Sequence, residues 1–140
     1  MSEEKNAAIV KEFYARVLAG EVEQVIQQQL TADFVWENPL PEPVPYGGTF
    51  EGRDGAARYL ERIFETLDLT DFSIDEIVAS GDRVVVLGRE AARVKASDRH
   101  YSQGWVHVLR LRDGMIAHLR EYNDTAAMLA AFASGAVPEE

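Results

Sequence analysis

Hydrophobic side chains recur at helical spacing in the first part of the chain. In "NAAIVKEFYARVLAG" they fall at intervals of three and four, which predicts an amphipathic helix that ends near Gly20. The run "EVEQVIQQQL" repeats this pattern over a shorter length and predicts a second helix. A third helix is predicted from "GRDGAARYLERIFETLD", with Asp54 as its N-terminal cap and an apolar face that includes Leu60 and Phe64.

Period-two alternation predicts strands in the rest of the chain. The run "DFVWEN" alternates and would place Phe34, Trp36 and Asn38 on one face of a strand. Beyond Asp68, four more strand-like runs follow at about 72–79, 83–95, 100–111 and 115–123. The breaks "SGD", "SDR" and "RDG" favour tight hairpin turns, so these four strands are predicted to form an antiparallel meander. The last run, "DTAAMLAAF", predicts a short helix capped by Asp124.

The order of the predicted elements indicates the fold class. Helices gather early and strands late, which is the α+β pattern. We expect a single domain over residues 1–140. In it a cone-shaped, curved antiparallel sheet carries the helices packed on its concave face. Such a cone leaves a pocket at its open end.

Composition narrows the possible partners. The net charge is -10, whereas binding nucleic acid or an anionic membrane surface requires a basic face, so we expect neither partner. No apolar run approaches the roughly 18 residues of a membrane span. Cysteine is absent, which excludes disulfides and thiol chemistry and fits a reducing compartment, so we predict a cytoplasmic location.

Strand alternation also indicates which side chains face the pocket. In "WVHVLRLR", one set contains Arg110 and Arg112, so the opposite set, with Trp105 and His107, is predicted to face inward. The same argument places Glu90 inside. On the last strand, polarity alone does not decide between the set with Glu121 and the alternating one.

An inward carboxylate next to an inward histidine suggests acid–base chemistry. Desolvation would raise the pKa of such a carboxylate and make it a base near neutral pH, and His107 could share or relay its proton. A simpler interpretation makes His107 a hydrogen-bonded core residue, Glu90 a partner for a rim arginine, and the aromatic residues plain core. The three histidines lack metal-ligand spacing, and no phosphate loop or nucleophile elbow is present. We therefore expect no metal and no cofactor.

The stretch "WENPLPEPVPYGG" has a proline at every second position. Grooves that bind polyproline helices contact prolines three residues apart, so we do not expect this stretch to be a docking ligand. We do not expect a linker either, because the predicted domain runs across the stretch. We interpret the stretch as a stiff lip, because alternate prolines fix φ and remove backbone donors. Leu40 and Tyr46 are then expected near the mouth of the pocket.

Several of these runs together resemble a known family. The runs "FVWENP", "GRDGAARYL", "GDRVVVLGRE", "WVHVLRLRDGMI" and "LREYNDTAAM", in this order of elements, are similar to the SnoaL-like branch of the nuclear transport factor 2-like superfamily. The resemblance covers nearly the whole chain and implies a cone of the cystatin-like type. Polyketide cyclases, ketosteroid isomerases and limonene-epoxide hydrolases share that fold, as do binding modules and scaffolds.

The ketosteroid isomerases are similar over "VLAGEVEQVI" and "VWENP". Their catalytic aspartate falls on Asn38 and their helix-1 tyrosine nearest Phe13, while Tyr14 lies one position along, on a different face of the helix. The resemblance therefore implies that the proton-shuttling base of steroid isomerisation is missing, and a ketosteroid isomerase of the usual type is not expected.

The epoxide hydrolases are similar at two points. Their Tyr-x-Asn pair, which holds the attacking water, resembles Trp36-x-Asn38, and their last-strand aspartate resembles Glu121 in "REY", which implies that Glu121 faces inward. Their Arg-x-Asp is not reproduced, because no carboxylate follows Arg89-Glu90 two residues on. Polyketide cyclases use an inward acid and a histidine, roles that Glu121 and His107 could share.

The leading hypothesis is an enzyme for a small apolar or polycyclic substrate. Glu121 would be the general base that removes a proton or activates water, His107 would orient or relay, and Asn38 would hold a water or a substrate oxygen. Proton abstraction, isomerisation and water addition all remain open. The predicted substrate contacts are Phe13, Tyr14, Trp36, Leu40, Tyr46, Phe64, Glu90, Trp105 and Leu119.

The alternative is a non-catalytic ligand-binding or dimerisation module, or an idle accessory subunit of the same fold. Its signature would be a pocket filled by side chains, or carboxylates paired with arginine. An apolar patch with an arginine rim on the outer sheet face predicts a homodimer in either case. The patch consists of Val85, Leu87, Val106, Val108 and Tyr122.

Overall fold

The computed structural model describes residues 2–132, which contain four helices and six strands in an α+β arrangement. The helices are α1 (Glu3–Leu18), α2 (Val22–Gln29), α3 (Gly52–Thr66) and α4 (Thr125–Phe132). The strands are β1 (Leu30–Asn38), β2 (Gly48–Glu51), β3 (Leu67–Ser80), β4 (Arg83–Val94), β5 (Arg99–Arg112) and β6 (Met115–Asn123). None of these helices has the length and apolar character needed to cross a membrane.

The helix boundaries confirm part of the sequence prediction. Helix α4 begins after Asp124, whose carboxylate accepts from the backbone N–H of Ala127 at 3.2 Å, as a cap should. The prediction that Asp54 caps α3 is wrong, because the N-cap position falls on Glu51 and no side chain bonds the first turn. Asp54 lies inside that first turn, where its negative charge still complements the helix dipole.

The sheet has the strand order β2-β1-β6-β5-β4-β3 and curls without closing. Strands β3 to β6 form the predicted antiparallel meander. Two features go beyond the prediction: β1 pairs with β6 in parallel, and the short β2 pairs antiparallel with β1. Because β1 and β6 are far apart in sequence, no turn between them could indicate their relative direction.

The predicted inward face of the sheet is buried. On β5, Trp105 and His107 are 2% and 7% exposed, as the arginine argument required. On β6, where polarity did not decide, Leu119 and Glu121 are the buried set. Helices α1 and α3 cover this face, so the inward side chains of β1, β5 and β6 surround one interior.

A close approach between β4 and β5 shapes this interior. Gly88 pairs with Trp105 across the two strands, and a β-carbon at Gly88 would lie 2.3 Å from Cζ2 of the Trp105 ring. Glycine therefore lets the indole lie flat over the neighbouring strand. In that position Trp105 stacks on His107, with ring centroids 4.1 Å apart, and fixes one side of the histidine ring.

Candidate active site

A cavity of about 100 Å³ lies between α1, α3 and the concave face of the sheet. Its apolar lining includes Phe13, Val17, Trp36, Tyr59, Leu60, Ile63, Phe72 and Met128. Its polar lining consists of Asn38, Glu90, His107, Glu121 and Asn123, with the hydroxyls of Tyr14, Tyr46 and Tyr59. A mostly aromatic enclosure with a few convergent polar groups is the usual composition of a small-molecule site.

Most of the site residues proposed from the sequence border this cavity. They are Phe13, Tyr14, Trp36, Asn38, Tyr46, Phe64, Glu90, His107 and Glu121. Tyr14 and Phe13 both reach it, although one residue apart on a helix. Tyr46 is buried inside rather than placed at the mouth.

Three of the proposed contacts lie elsewhere. Trp105 is behind His107, and Leu119 is fully buried in the core. Leu40 folds back on the proline stretch, where its carbonyl oxygen would lie 2.8 Å from a β-carbon at Gly47. These three residues support the site from outside and do not face the cavity.

The Glu121 carboxylate is held by donors on both oxygens. Oε2 accepts from the Trp36 indole N–H at 2.8 Å and from the Tyr59 hydroxyl at 2.6 Å. Oε1 accepts from the Asn38 amide at 3.1 Å and lies 3.4 Å from Nε2 of His107. The carboxylate is therefore stabilised as an anion without any arginine or lysine.

These contacts reverse the expected pKa shift of Glu121. Burial alone would raise the pKa of the carboxyl, but the charge of His107 and the hydrogen bonds from His107, Tyr59 and Trp36 outweigh it and lower the pKa below 4.5. The expectation of a raised pKa for Glu121 was wrong because it considered the desolvation of the carboxylate but not the hydrogen bonds that the carboxylate accepts. Glu121 is an ionised, hydrogen-bonded partner of His107.

His107 links Glu121 to Tyr14. Its Nε2 faces the carboxylate, and its Nδ1 lies 2.7 Å from the Tyr14 hydroxyl. The Tyr14 and His107 rings also stack, with centroids 5.7 Å apart. Carboxylate, imidazole and phenol thus form a continuous buried chain of contacts.

The buried tyrosines remain neutral phenols. Burial, with the nearby charge of Glu121, raises the pKa of Tyr14 well above 10.0. The pKa of Tyr59 is raised by burial and by Glu121 in the same way. Both hydroxyls therefore act as hydrogen-bond donors and not as bases at physiological pH.

A second carboxylate, Glu90, has a different environment. Its Oε2 accepts from the Tyr101 hydroxyl at 2.8 Å and from the Gln103 amide at 3.1 Å. Burial raises the pKa of Glu90 above 4.5, and the two hydrogen bonds and the charge of His107 counter this only in part. The nearby Arg89 pairs with Asp75 on the outer face, so the rim-arginine interpretation of Glu90 is wrong.

A polar chain joins the two carboxylates. The Gln103 amide donates to Glu90 and also to Asn123 Oδ1 at 2.9 Å, and Asn123 donates to Asn38 Oδ1 at 3.0 Å. The Asn38 amide in turn donates to Glu121. Both the amide nitrogen and the amide oxygen of Asn38 are thus hydrogen-bonded to protein groups, and Asn38 orients the Glu121 carboxylate.

Sequence reasoning missed Tyr59, Tyr101, Gln103 and Asn123. Tyr59 lies one turn before Ile63 on the predicted buried stripe of α3, so a polar tip on that stripe was an available signal. Gln103 and Tyr101 lie two and four residues before Trp105 and continue the inward alternation of Trp105 and His107. Their partners come from other strands, which no local pattern identifies.

The charge of the cavity is acidic. No lysine or arginine lines it among residues 2–132, whereas two carboxylates and one histidine do. The same residues contain no cluster of three histidine, aspartate or glutamate side chains placed to hold a metal ion. The site can therefore donate and accept protons, but it offers no cationic clamp for an anionic ligand.

Comparisons with known proteins agree with this architecture. The model of the SnoaL-like domain family matches residues 10–119. A nuclear transport factor 2-like protein from Burkholderia xenovorans LB400 is 31% identical, with a TM-score of 0.83 over 94% of this chain and 98% of that one. No curated protein matches the sequence.

Two further solved structures share the fold. A protein from Bacillus subtilis, provisionally named an isomerase, is 24% identical with a TM-score of 0.78, over 96% of this chain and 97% of its own. TerC, co-crystallised with polyporic acid, is 24% identical with a TM-score of 0.75, over 93% of this chain and 99% of its own. At these identities the likeness extends to the fold.

Proposed function

Because the chain belongs to the SnoaL-like domain family, we propose that it is an enzyme that performs acid–base chemistry on a small, neutral carbonyl compound. The observation on which this rests is the buried Tyr14–His107–Glu121 chain beside an apolar cavity. Family membership gives the fold, and the fold alone does not specify an activity. The proposal therefore depends on these side chains.

The size and charge of the cavity support a small, neutral substrate. An engineered cavity of about 150 Å³ holds benzene, so a cavity of about 100 Å³ admits no more than a one-ring compound. A polycyclic substrate would require the mouth, where Leu18 and Phe64 are exposed, to widen. Two carboxylates without a lysine or arginine disfavour a substrate that carries a carboxylate or phosphate.

The chain of contacts can polarise the carbonyl oxygen of the substrate. When His107 is protonated and paired with Glu121, its Nδ1–H donates to the Tyr14 oxygen, and the Tyr14 O–H is then free to donate into the cavity. A preorganised donor of this kind stabilises the negative charge that develops on oxygen during enolisation. Isomerisation by proton transfer follows from such an enolate, and water addition is a less supported variant.

The neighbours of Glu121 serve as positioning residues. Trp36, Tyr59 and Asn38 hold both carboxylate oxygens, which keeps the anion next to His107. The anion in turn stabilises the imidazolium, as the buried acid does in a catalytic triad. On this proposal Glu121 acts through His107.

The test is the exchange of ring hydrogens for deuterium in cyclohexanone and cyclohex-2-enone, followed by proton NMR in D₂O. We expect the wild-type protein to accelerate exchange over buffer. Tyr14→Phe and His107→Gln should each lower the protein-catalysed rate by about 10²–10⁴-fold. His100→Gln, which changes an exposed histidine, is the matched control and should behave as wild type.

A second candidate function is non-catalytic binding of the same class of compound. It is favoured by the number of donors that already satisfy Glu121, which leaves that carboxylate little capacity to react. The exchange experiment separates the two functions. Binding of a ketone by the wild-type protein without faster exchange would establish the binder and reject the enzyme.

The partners and the location predicted from the sequence remain proposals. The net charge of -10 argues against nucleic acid and anionic membranes as partners. The predicted cytoplasmic location rests on the absence of cysteine alone.

A further inference from the structure

The two carboxylates of the cavity differ in their capacity to accept a proton. Both oxygens of Glu121 are occupied by donors, whereas Glu90 accepts from Tyr101 and Gln103 through Oε2 alone. Within residues 2–132, no group donates to Oε1 of Glu90. Glu90 is therefore the carboxylate of this cavity with an oxygen available to a ligand.

We propose that Glu90 is the catalytic base, which takes a proton from a ring carbon of the substrate while Tyr14 holds the substrate oxygen. This inference rests on the proposed function and adds to it the group that removes the proton. It also assigns Glu121 a positioning role. The sequence had suggested Glu121 as the base and Glu90 as a substrate contact.

The strand register separates Glu90 from the oxygen end of the cavity. Glu90 pairs with Gln103 on β5, and His107 lies four residues further along that strand. At about 3.4 Å per residue, the β5 position opposite Glu90 and the position of His107 are about 14 Å apart along the strand. Both side chains nevertheless line the same cavity.

The surroundings of Glu90 favour this role. The groups that face it are Tyr101 and Gln103 from β5, Phe72 across from it on β3, Tyr46 from the proline stretch, and the more distant Glu121 and His107. None of them is a lysine or arginine. Burial raises the pKa of Glu90, which strengthens it as a base while leaving it able to ionise.

The proposed step is balanced without a cofactor. The C–H bond breaks and an O–H bond forms at Oε1 of Glu90, while the electron pair moves through the conjugated system to the carbonyl oxygen. Tyr14 donates a hydrogen bond to that oxygen. Return of the proton from Glu90 to another carbon of the system completes an isomerisation, and return of a deuteron completes an exchange.

The experiment compares wild type with Glu90→Gln in the ketone exchange and in 4-nitrophenol binding. 4-Nitrophenol reports on the oxygen end, because its visible absorbance changes with its protonation and it has no carbon proton to lose. We expect Glu90→Gln to lower exchange by about 10²–10⁴-fold and to bind the phenol within about threefold of wild type. Glu61→Gln, an exposed carboxylate on α3, is the matched control.

The pH profile gives a readout that a structural role would not produce. Because Glu90 must be ionised to act, the wild-type exchange rate should rise with pH through a pKa above 4.5. This rise of the exchange rate with pH should be absent in Glu90→Gln. It should return in Glu90→Asp, which keeps the acid and also covers the case in which the amide variant fails to fold.

The outcomes separate the two proposals. Wild-type exchange that persists in Glu90→Gln overturns Glu90 as the base and leaves the proposed function standing. Loss of exchange together with loss of phenol binding also overturns it, because the variant has then damaged the whole site. Absence of exchange in the wild-type protein overturns both the base and the enzyme.

Discussion

At the scale of single residues, the main result is how a buried anion is stabilised. Glu121 is surrounded by an indole, a phenol, an amide and an imidazole, all of which donate or carry positive charge. Charge-assisted hydrogen bonds of this kind offset the cost of burial without an arginine. The arrangement keeps the carboxylate ionised and anchors His107.

The lowered pKa of Glu121 predicts a pH dependence of stability. A carboxyl whose pKa is lower in the folded than in the unfolded state binds fewer protons when folded, so its contribution is present above about 4.5 and is lost as the pH falls through the folded pKa. Glu121→Gln should therefore flatten the loss of stability below pH 4.5. Urea unfolding at a series of pH values measures this effect.

The same variant should be less stable at neutral pH. An amide nitrogen replaces an acceptor that two donors share, which costs about 1–3 kcal/mol for each donor left unsatisfied. Glu61→Gln should keep both the wild-type stability and its acid dependence. An unchanged acid slope in Glu121→Gln would contradict the ionised state assigned to this carboxylate.

At the scale of the elements, the contact of β4 with β5 determines the position of the histidine. Gly88→Ala would place a β-carbon 2.3 Å from the Trp105 ring and 2.6 Å from the carbonyl oxygen of Ser73. We expect a loss of about 1–3 kcal/mol or more in the free energy of unfolding, because neither neighbour can retreat without moving a strand.

The matched control is Gly104→Ala, in the partner strand, where the nearest atom would be 3.8 Å from the new β-carbon. Urea unfolding and the near-ultraviolet circular dichroism of the tryptophans report stability and packing. Equal effects of the two alanine variants would show that the Gly88–Trp105 approach is not a constraint.

Helix α4 closes part of the cavity with Met128, which is buried and in the lining. Met128→Ala should enlarge the cavity, so 2-naphthol should gain affinity relative to phenol, at a stability cost of about 2–5 kcal/mol. Leu129→Ala, on the same helix but outside the lining, should leave the ratio of affinities unchanged. Quenching of tryptophan fluorescence measures the affinities for 2-naphthol and for phenol. A similar ratio in the two variants would count against Met128 as a boundary of the site.

The elements show which features the sequence could predict. Period-two alternation and the avoidance of buried arginine identified the inward faces of β4 and β5, because these rules act within one strand. Nothing local could predict the parallel β1–β6 pair or the short β2, since their partners lie far away in the chain. Strand β2 directly follows the proline stretch, in a region that the sequence pattern indicated to be a loop.

The site, like the fold, contains contacts between distant parts of the chain that local patterns could not predict. The alternation placed Trp36, His107 and Glu90 around a pocket, and the resemblance added Glu121. The direction of the Glu121 pKa shift depended on Tyr59, whose hydroxyl comes from α3, and on the other long-range donors. A pattern within one element indicates burial, but it does not count hydrogen bonds from other elements.

At the scale of the whole molecule, the outer sheet face predicts self-association. Leu87, Val106 and Tyr122 form one row across three strands, and Leu87 and Tyr122 are 36% and 48% exposed. Ion pairs such as Arg89–Asp75 lie on this face. An apolar centre with a charged rim is typical of an interface between protein subunits.

We expect the protein to be a homodimer at micromolar concentration, and Leu87→Asp to be a monomer, because the new charge would be buried without a partner. Leu18→Asp, at an exposed apolar residue beside the cavity mouth, is the control and should remain dimeric. Size-exclusion chromatography with light scattering decides the question. A monomeric wild-type protein would reject the outer face as the interface.

We propose that the Tyr14–His107–Glu121 chain binds the oxygen of a small ring compound inside the cone. The most direct measurement is a crystal structure of the protein with 4-nitrophenol bound. We expect the ring to lie between Phe13, Trp36 and Phe72, with the phenol oxygen about 2.5–3.0 Å from the Tyr14 hydroxyl. A phenol bound outside the cone, or a cavity closed by its own side chains at saturating ligand, would contradict it.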